Sequence, residues 1–255
     1  MMKLGITDAV KHLIIINVIV FIGMMTIGTN GDVFFRWFAL YFPDNELFKP
    51  WQVVTHMFMH SSQQFGHILF NMLGLWMFGT AVEQQLGSKK FVFIYFSTGF
   101  GAAALQLAFS YFQFNSGLQT LIESGVNKLD IMNTLNEGSY YEQWKIILGK
   151  DFENFIGIYI APMVGASGCI MGVLAAFGVM NPNAELMLIF LPIPIKAKYF
   201  IPGIILLDII SALTGQSFFS PSNTAYAAHI GGALIGFIIM WYWKKNSMNK
   251  YRWDR

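Results

Sequence analysis

The chain has 255 residues, of which 55% are hydrophobic and only 12% are charged, and its formal net charge is +2. A soluble globular domain carries about 25% charged residues, so this composition excludes a soluble fold with an ordinary polar surface. The small net charge gives no sign of a nucleic-acid partner, and we expect none.

Apolar runs recur along the chain, and connections that contain charged residues separate them. They cover residues 12–28, 66–82, 91–112, 156–180, 199–214 and 226–243. A membrane-spanning helix needs roughly 20 apolar residues, so we expect six spans, some of them short. Pro162 interrupts the fourth run, and its helix is therefore predicted to start near Ser167. The pattern predicts an all-α membrane protein with a bundle of six transmembrane helices.

Positively charged residues are concentrated in alternate connections between the predicted spans. With the N-terminus inside, every cytoplasmic connection contains lysines, namely Lys3, Lys11, Lys89, Lys90, Lys196, Lys198, Lys244 and Lys245. An excess of Lys and Arg marks the cytoplasmic side of a membrane protein. We therefore expect both termini of this multi-pass protein to be cytoplasmic.

The segment 113–155, between the third and fourth predicted spans, is too polar to cross a membrane. It has six acidic residues and three lysines. Apolar residues at helical spacing are Leu118, Leu121, Ile122, Leu129, Ile131, Met132 and Leu135. Aromatic residues suited to a membrane–water boundary are Tyr140, Tyr141, Trp144 and Phe152. We expect a helical insertion on the outer membrane face, within one membrane domain that covers residues 1–255.

Gly165-Ala166-Ser167-Gly168 lies where the fourth span is predicted to begin. The helix from Ser167 to Asn181 has 15 residues and would be about 22 Å long. Because the hydrocarbon core is about 30 Å thick, Ser167 would lie several Å below the outer surface. Irregular backbone at that depth is tolerated when it lines a water-filled cavity or is buried in protein. Ser167 is a candidate nucleophile, and the alternative is a contact between small residues of two helices.

His229 lies within the sixth predicted span, where a histidine is costly and by default indicates a functional site with a partner. Small residues lie on one face beside each candidate, Gly232 and Gly236 beside His229 and Gly168 and Gly172 beside Ser167. Such faces let helix backbones approach closely. We therefore expect the imidazole to reach the Ser167 hydroxyl and to act as its general base. The alternative is a structural histidine that donates to a carbonyl of a neighbouring helix.

His67 and Asn71 lie four residues apart in the second predicted span, which places both side chains on one helical face. Both are neutral hydrogen-bond donors, as an oxyanion site requires, where one good donor can contribute about 2.7–4 kcal/mol. Polar contacts between helices are the alternative interpretation of this pair.

Several motifs together resemble the rhomboid intramembrane proteases. They are Gly-Ala-Ser-Gly at 165–168, Ala-His-x-x-Gly-x-x-x-Gly at 228–236, His-Ile-Leu-Phe-Asn at 67–71, Trp51 with Thr-His-Met-Phe-Met-His at 55–60, and Ala-Val-Glu-Gln-Gln-Leu-Gly at 81–87. Each motif is weak alone, but their order along the chain is specific. The resemblance covers nearly everything outside the segment 113–155.

The resemblance implies a rhomboid-like bundle and a serine endopeptidase that cleaves membrane-helix substrates near the outer membrane face. Ser167 and His229 would form a catalytic dyad without an aspartate. His67 and Asn71 would bind the oxyanion together with the backbone N–H of Ser167. Proteins with a single membrane helix would be the substrates, membrane lipid would surround the bundle, and no metal or other cofactor is implied. The expected location is a bacterial inner membrane, and the oligomeric state is left open.

This sequence departs from the family pattern at three places. Gln52 stands where the family often has arginine, and Met171 stands where an aromatic residue commonly stacks on the catalytic histidine. About two extra residues lie between His60 and His67. The family also predicts a lateral gate formed by the fifth span and the loop at 215–225.

Three other classes of protein are possible interpretations. A metalloprotease is disfavoured because Met57 follows His56, so the glutamate of an H-E-x-x-H motif is missing, and His56 and His60 are interpreted as structural. A transporter would use Asp208, the one acidic residue within the predicted spans, as an ion site. We expect Asp208 instead to contact polar groups near the outer end of the fifth span. The remaining alternative is a non-catalytic rhomboid-like binder of membrane helices.

Overall fold

A computed structural model of the protein describes residues 5–29, 31–61, 65–188, 191–214 and 225–250. The described part is almost wholly helical. Its α-helices are α1 (Asp8–Thr26), α2 (Asp32–Phe38), α3 (Gln52–Thr55), α4 (Phe65–Gly74), α5 (Thr80–Leu86), α6 (Ser88–Glu123), α7 (Lys128–Asn136), α8 (Glu142–Leu148), α9 (Phe152–Ile160), α10 (Ser167–Met180), α11 (Ala197–Thr214) and α12 (Tyr226–Lys250). A π-helical turn, Leu75–Gly79, joins α4 to α5. Two short antiparallel strands, β1 (Glu185–Leu188) and β2 (Leu191–Lys196), precede α11.

Five helical units of the described chain are long and apolar enough to cross a membrane. They are α1, the α4–α5 unit Phe65–Leu86, α6, α11, and Tyr226–Asn246 of α12. The predicted class, a helical multi-pass membrane protein, is confirmed. The fourth predicted span, α10, is apolar but has only 14 residues, so at 1.5 Å per residue it measures about 21 Å. It begins at Ser167, as the sequence predicts.

The short helix α10 lies in the bundle core and packs against both α6 and α12, which also pack against each other. Every residue from Gly168 to Phe177 is buried. A Cβ atom added at Gly232 would lie 2.0 Å from the carbonyl oxygen of Gly168, and one at Gly236 would lie 2.1 Å from that of Gly172. The two helices therefore pack backbone against backbone, and the predicted pairing of the small faces is confirmed.

The third predicted span continues much further than its hydropathy indicates. Helix α6 runs without a break to Glu123, so the first part of the segment 113–155 belongs to the same helix. The rest of that segment forms α7, α8 and α9. The side chains that pack together here form a second hydrophobic cluster, called the insertion core: Phe42, Phe114, Leu118, Leu121, Ile131, Leu135, Trp144, Leu148, Phe152, Phe155 and Tyr159.

Two aromatic residues of this segment do not lie where the sequence predicts. Trp144 and Phe152 are only 1% and 4% exposed, so their assignment to a membrane–water boundary is wrong. The extended part of α6 offers them an apolar face, and burial there removes their large side chains from water. Tyr140 and Tyr141 are 42% and 58% exposed.

Candidate active site

Ser167 and His229 come together although 62 residues separate them in the chain. Ser167 is the first residue of α10, and His229 lies in the first turn of α12. The Oγ atom of Ser167 lies 2.9 Å from Nε2 of His229, which is within the range for a nucleophile and its base. The close backbone packing of α10 on α12 brings the two side chains into contact.

The backbone before Ser167 is held by the first outer loop, residues 39–61. Leu40 and Met163 exchange two backbone hydrogen bonds of 2.9 and 2.8 Å, and the N–H of Gly165 donates to the carbonyl of His56 at 2.9 Å. Gly165 has a φ of +128°, a conformation that favours glycine. The chain therefore turns sharply into α10, and Ser167 is placed at the helix N-terminus, where backbone N–H groups lack intrahelical partners.

His67 of α4 faces the same turn. A Cβ added at Gly165 would lie 3.2 Å from Nε2 of His67 and 3.7 Å from Oγ of Ser167. The N–H of Ser61 donates to Nδ1 of His67 at 3.2 Å, so the proton of the neutral ring is assigned to Nε2. His67 can therefore donate a hydrogen bond toward the space beside Ser167.

Asn71 lies one turn along α4 from His67 and is buried. Its Nδ2 donates to the carbonyl of His67 at 2.7 Å, which uses one of its two amide hydrogens. The second hydrogen is left for another acceptor.

Asp208 contacts His229, which the sequence analysis did not predict. Its Oδ2 lies 3.0 Å from Nδ1 of His229, and the residue is 7% exposed. The sequence predicts that Asp208 contacts polar groups near the outer end of the fifth span, and its polar partner is His229; the resemblance had implied no aspartate beside this histidine. The sequence does mark Asp208 as unusual, because it is the one acidic residue within the predicted spans.

His56 and His60 have contacts within the protein scaffold. Nδ1 of His56 lies 2.8 Å from the carbonyl oxygen of Gln52, and Nε2 of His60 lies 2.9 Å from Oδ1 of Asn17. Burial lowers the pKa of His56 to about 4 and that of His60 to about 3, so both rings are neutral near pH 7. In the described ranges, no group of three His, Cys, Asp or Glu side chains could hold a metal ion.

Gln52, the departure from the family's arginine, is fully buried and organises the outer loop. Its Oε1 accepts from the N–H of Lys49 at 3.0 Å and of Tyr41 at 3.4 Å. Its Nε2 donates to the carbonyls of Leu47 at 2.9 Å and Arg36 at 3.3 Å. A neutral side chain thus makes hydrogen bonds across the loop that holds Gly165.

The structure describes the remaining predicted features only in part. Met171 lies in the buried core of the bundle. Of the extra residues before His67, those at 62–64 lie outside the described residues, and so do residues 215–224 of the predicted gate loop.

Comparison with known proteins decides the family. The sequence model of the Rhomboid domain matches residues 47–246. The chain belongs to the rhomboid family. This rhomboid is 28% identical over 186 residues to the mitochondrial Rhomboid protein 1 of Saccharomyces cerevisiae, covering 72% of this chain and 40% of that protein. It is 29% identical over 199 residues to the rhomboid protease AarA of Providencia stuartii, covering 74% and 54%.

A shorter and stronger similarity links this rhomboid to a bacterial relative. It is 43% identical over 77 residues to the rhomboid protease GlpG of Salmonella typhi, covering 30% of this chain and 26% of that protein. The chain thus spans about a quarter to about half of the length of these three relatives.

Proposed function

We propose that this rhomboid is an intramembrane serine endopeptidase, with Ser167 as nucleophile and His229 as general base. The observation that carries the proposal is the 2.9 Å separation between Ser167 Oγ and His229 Nε2. The contact lies at a glycine-flanked turn inside a membrane bundle, where an unneeded polar pair would be costly. The similarity to proteins named rhomboid proteases supports the same activity.

In the proposed reaction, Ser167 Oγ attacks the carbonyl carbon of a peptide bond while His229 Nε2 takes the hydroxyl proton. The tetrahedral intermediate collapses, His229 gives the proton to the leaving amine, and an acyl-enzyme remains on Ser167. A water then attacks the ester by the same route and releases the acid. A cavity of about 10 Å³ beside Ser167, lined in part by His56, Met163 and Ala225, has close to the smallest volume that holds a water.

The oxyanion of both intermediates is assigned to His67, Asn71 and the backbone N–H of Ser167. Support comes from the Nε2 proton of His67, which points toward Gly165, and from the second amide hydrogen of Asn71. The N–H of Ser167 belongs to the first turn of α10, where no intrahelical acceptor uses it. Donors fixed before the reaction stabilise the developing charge without reorganisation.

The proposed substrates are proteins with a single membrane helix, cut near the outer membrane face. Because α10 is shorter than a membrane is thick, its N-terminus and Ser167 lie below one surface if its other end lies at the opposite interface. Lys90 over the ring of Trp243 and Lys245 over that of Trp241 support a cytoplasmic interface at that other end. We place both termini in the cytoplasm and the protein in a bacterial inner membrane.

We also propose that α7–α9, with the end of α6, form an outer-face cap that helps to select or present substrates. This insertion within a single membrane domain contacts the first outer loop, which holds the turn before Ser167. Tyr159 of α9 donates from its hydroxyl to the carbonyl of Asp44 at 2.9 Å, and Asn45 donates to the carbonyl of Tyr159 at 2.8 Å. The cap takes no direct part in bond cleavage.

The proposed activity is tested with the purified protein in liposomes that also contain a single-span membrane protein. Wild type should cut the substrate within or beside its membrane helix, and Ser167→Ala and His229→Ala should each remove cleavage. Ser116→Ala, at an exposed serine of α6, is the matched control and should cut normally. Cleavage by a folded Ser167→Ala protein would overturn the proposal.

A further inference from the structure

Asp208 occupies a position on α11 that is directed into the bundle. The buried residues of α11 are Ala197, Ile201, Asp208 and Ser211. Their spacing of four, seven and three residues places them on one face of the helix. A carboxyl group on this face of a membrane helix is costly to bury without a partner, and its partner here is the candidate base of the active site.

The two contacts of His229 are consistent with one tautomer. A carboxylate only accepts hydrogen bonds, so with Asp208 as a carboxylate the 3.0 Å contact places the proton on Nδ1. Nε2 then carries the lone pair and accepts from the Ser167 hydroxyl at 2.9 Å. With the other tautomer, Nε2 would carry a proton and could not take another from serine.

We propose that Asp208 is a positioning residue that orients His229 within the Ser167–His229 pair. The inference rests on the proposed protease function. Asp208 holds the imidazole with Nε2 toward Ser167, and its negative charge stabilises the imidazolium that forms when the serine proton moves to Nε2. No proton passes to Asp208 in this scheme. Three different helices, α10, α12 and α11, thus contribute one group each.

The expected loss without Asp208 is smaller than in soluble triads, where removing the charge of the aspartate lowers kcat by about 10⁴-fold. The backbone packing of α10 on α12 already keeps His229 close to Ser167. We therefore expect Asp208→Asn and Asp208→Ala to lower kcat by about tenfold to a hundredfold and to change KM by less than about twofold. The matched control is Ser211→Ala, another buried polar residue of the same face, which should keep wild-type kcat.

The direct readout is the ¹⁵N spectrum of protein labelled at its five histidines, with the His229 signals assigned from their loss in His229→Ala. At neutral pH the wild type should show a neutral His229 protonated on Nδ1, and Asp208→Asn should show a mixture of tautomers. A wild-type His229 protonated on Nε2 would overturn the proposal, even if no Asp208 variant folds. Wild-type kcat in a folded Asp208→Ala protein would overturn it as well.

The proposed protease function can be contradicted independently of the proposed role of Asp208. If Ser167→Ala still cleaved the substrate while His229 carried its proton on Nδ1, the assignment of Ser167 as nucleophile would be wrong and the Asp208–His229 contact would stand without a role in serine catalysis. Loss of cleavage in Ser167→Ala together with wild-type kcat in Asp208→Ala would leave the protease intact and remove Asp208 from its mechanism.

Discussion

At the scale of single residues, two histidines near Ser167 present the same ring nitrogen, Nε2, in opposite hydrogen-bonding roles. In the proposed tautomer, His229 donates from Nδ1 to Asp208 and turns an accepting Nε2 to Ser167. His67 has its Nδ1 occupied by the N–H of Ser61 and turns a donating Nε2 toward the same turn. The partner on the far side of each ring therefore decides whether that side chain serves as a base or as a hydrogen-bond donor.

The oxyanion assignment predicts a specific kinetic effect. His67→Ala and Asn71→Ala should each lower kcat by at least about tenfold with little change in KM, because these donors are needed mainly when charge develops on the substrate oxygen. Steady-state kinetics on a membrane-helix substrate measure this. His12→Ala, at an exposed histidine of α1, is the control. A higher KM with unchanged kcat in both variants would instead identify them as substrate contacts.

Much of the candidate site could be predicted from sequence because its residues lie in short motifs with recognisable spacing. Ser167 and His229 were found from a glycine-flanked turn and a histidine inside an apolar run. The contact of Asp208 could not be predicted, because it depends on which face of α11 turns inward and on a position 21 residues from His229. Hydropathy marks Asp208 as unusual but does not name its partner.

At the scale of helices, the contact between α10 and α12 brings Ser167 and His229 together. Gly232 and Gly236 have no side chains, so the carbonyls of Gly168 and Gly172 can approach the backbone of α12 directly. The spacing between these helices is therefore set by backbone atoms, which cannot adjust as a flexible side chain would.

Gly232→Ala should separate α12 from α10, because its new methyl group would meet the Gly168 carbonyl at 2.0 Å. Such overpacking costs at least about 1–3 kcal/mol, so we expect a lower thermal midpoint and loss of cleavage. The control is Gly203→Ala on α11, where an added Cβ has no neighbour within 4 Å and helix propensity improves by about 0.8–1 kcal/mol. Equal midpoints and activities for the two variants would contradict the packing account.

Helix ends were the least predictable feature. The start of α10 followed from Pro162 and the glycine-rich turn, whereas the end of α6 was missed. Polar residues from Gln113 onward lower the hydropathy without ending the helix, and Asn115 even donates to the carbonyl of Tyr111 within it at 2.8 Å. A hydropathy pattern indicates where a helix leaves the membrane. It does not indicate where the helix ends.

At the scale of the whole molecule, the hydrophobic clusters of the described residues include a bundle core and a separate insertion core. The bundle core surrounds α10, while the insertion core joins α6–α9 to Phe42 of the first outer loop. The outer loop therefore connects the segment we propose as a cap to the turn that positions Ser167.

The cap proposal predicts altered substrate choice without altered chemistry. Leu129 and Ile146 are 67% and 85% exposed on α7 and α8, and changing both to Asp should leave folding nearly intact, since such surface changes are usually within about 0.5 kcal/mol each. Relative kcat/KM among several single-span substrates should change by about fivefold or more. Gln143→Ala, at another exposed position of α8, should change nothing. An unchanged profile in the double variant would indicate a connector with no role in recognition.

The central claim is that Ser167 is an activated nucleophile in the folded membrane protein, and a fluorophosphonate probe followed by mass spectrometry of the labelled peptide tests it most directly. Such probes react with serines that a neighbouring base activates. We predict a single labelled site at Ser167, with labelling lost in Ser167→Ala and strongly slowed in His229→Ala. Labelling of a different serine, or an unreactive Ser167 in folded wild-type protein, would contradict the account.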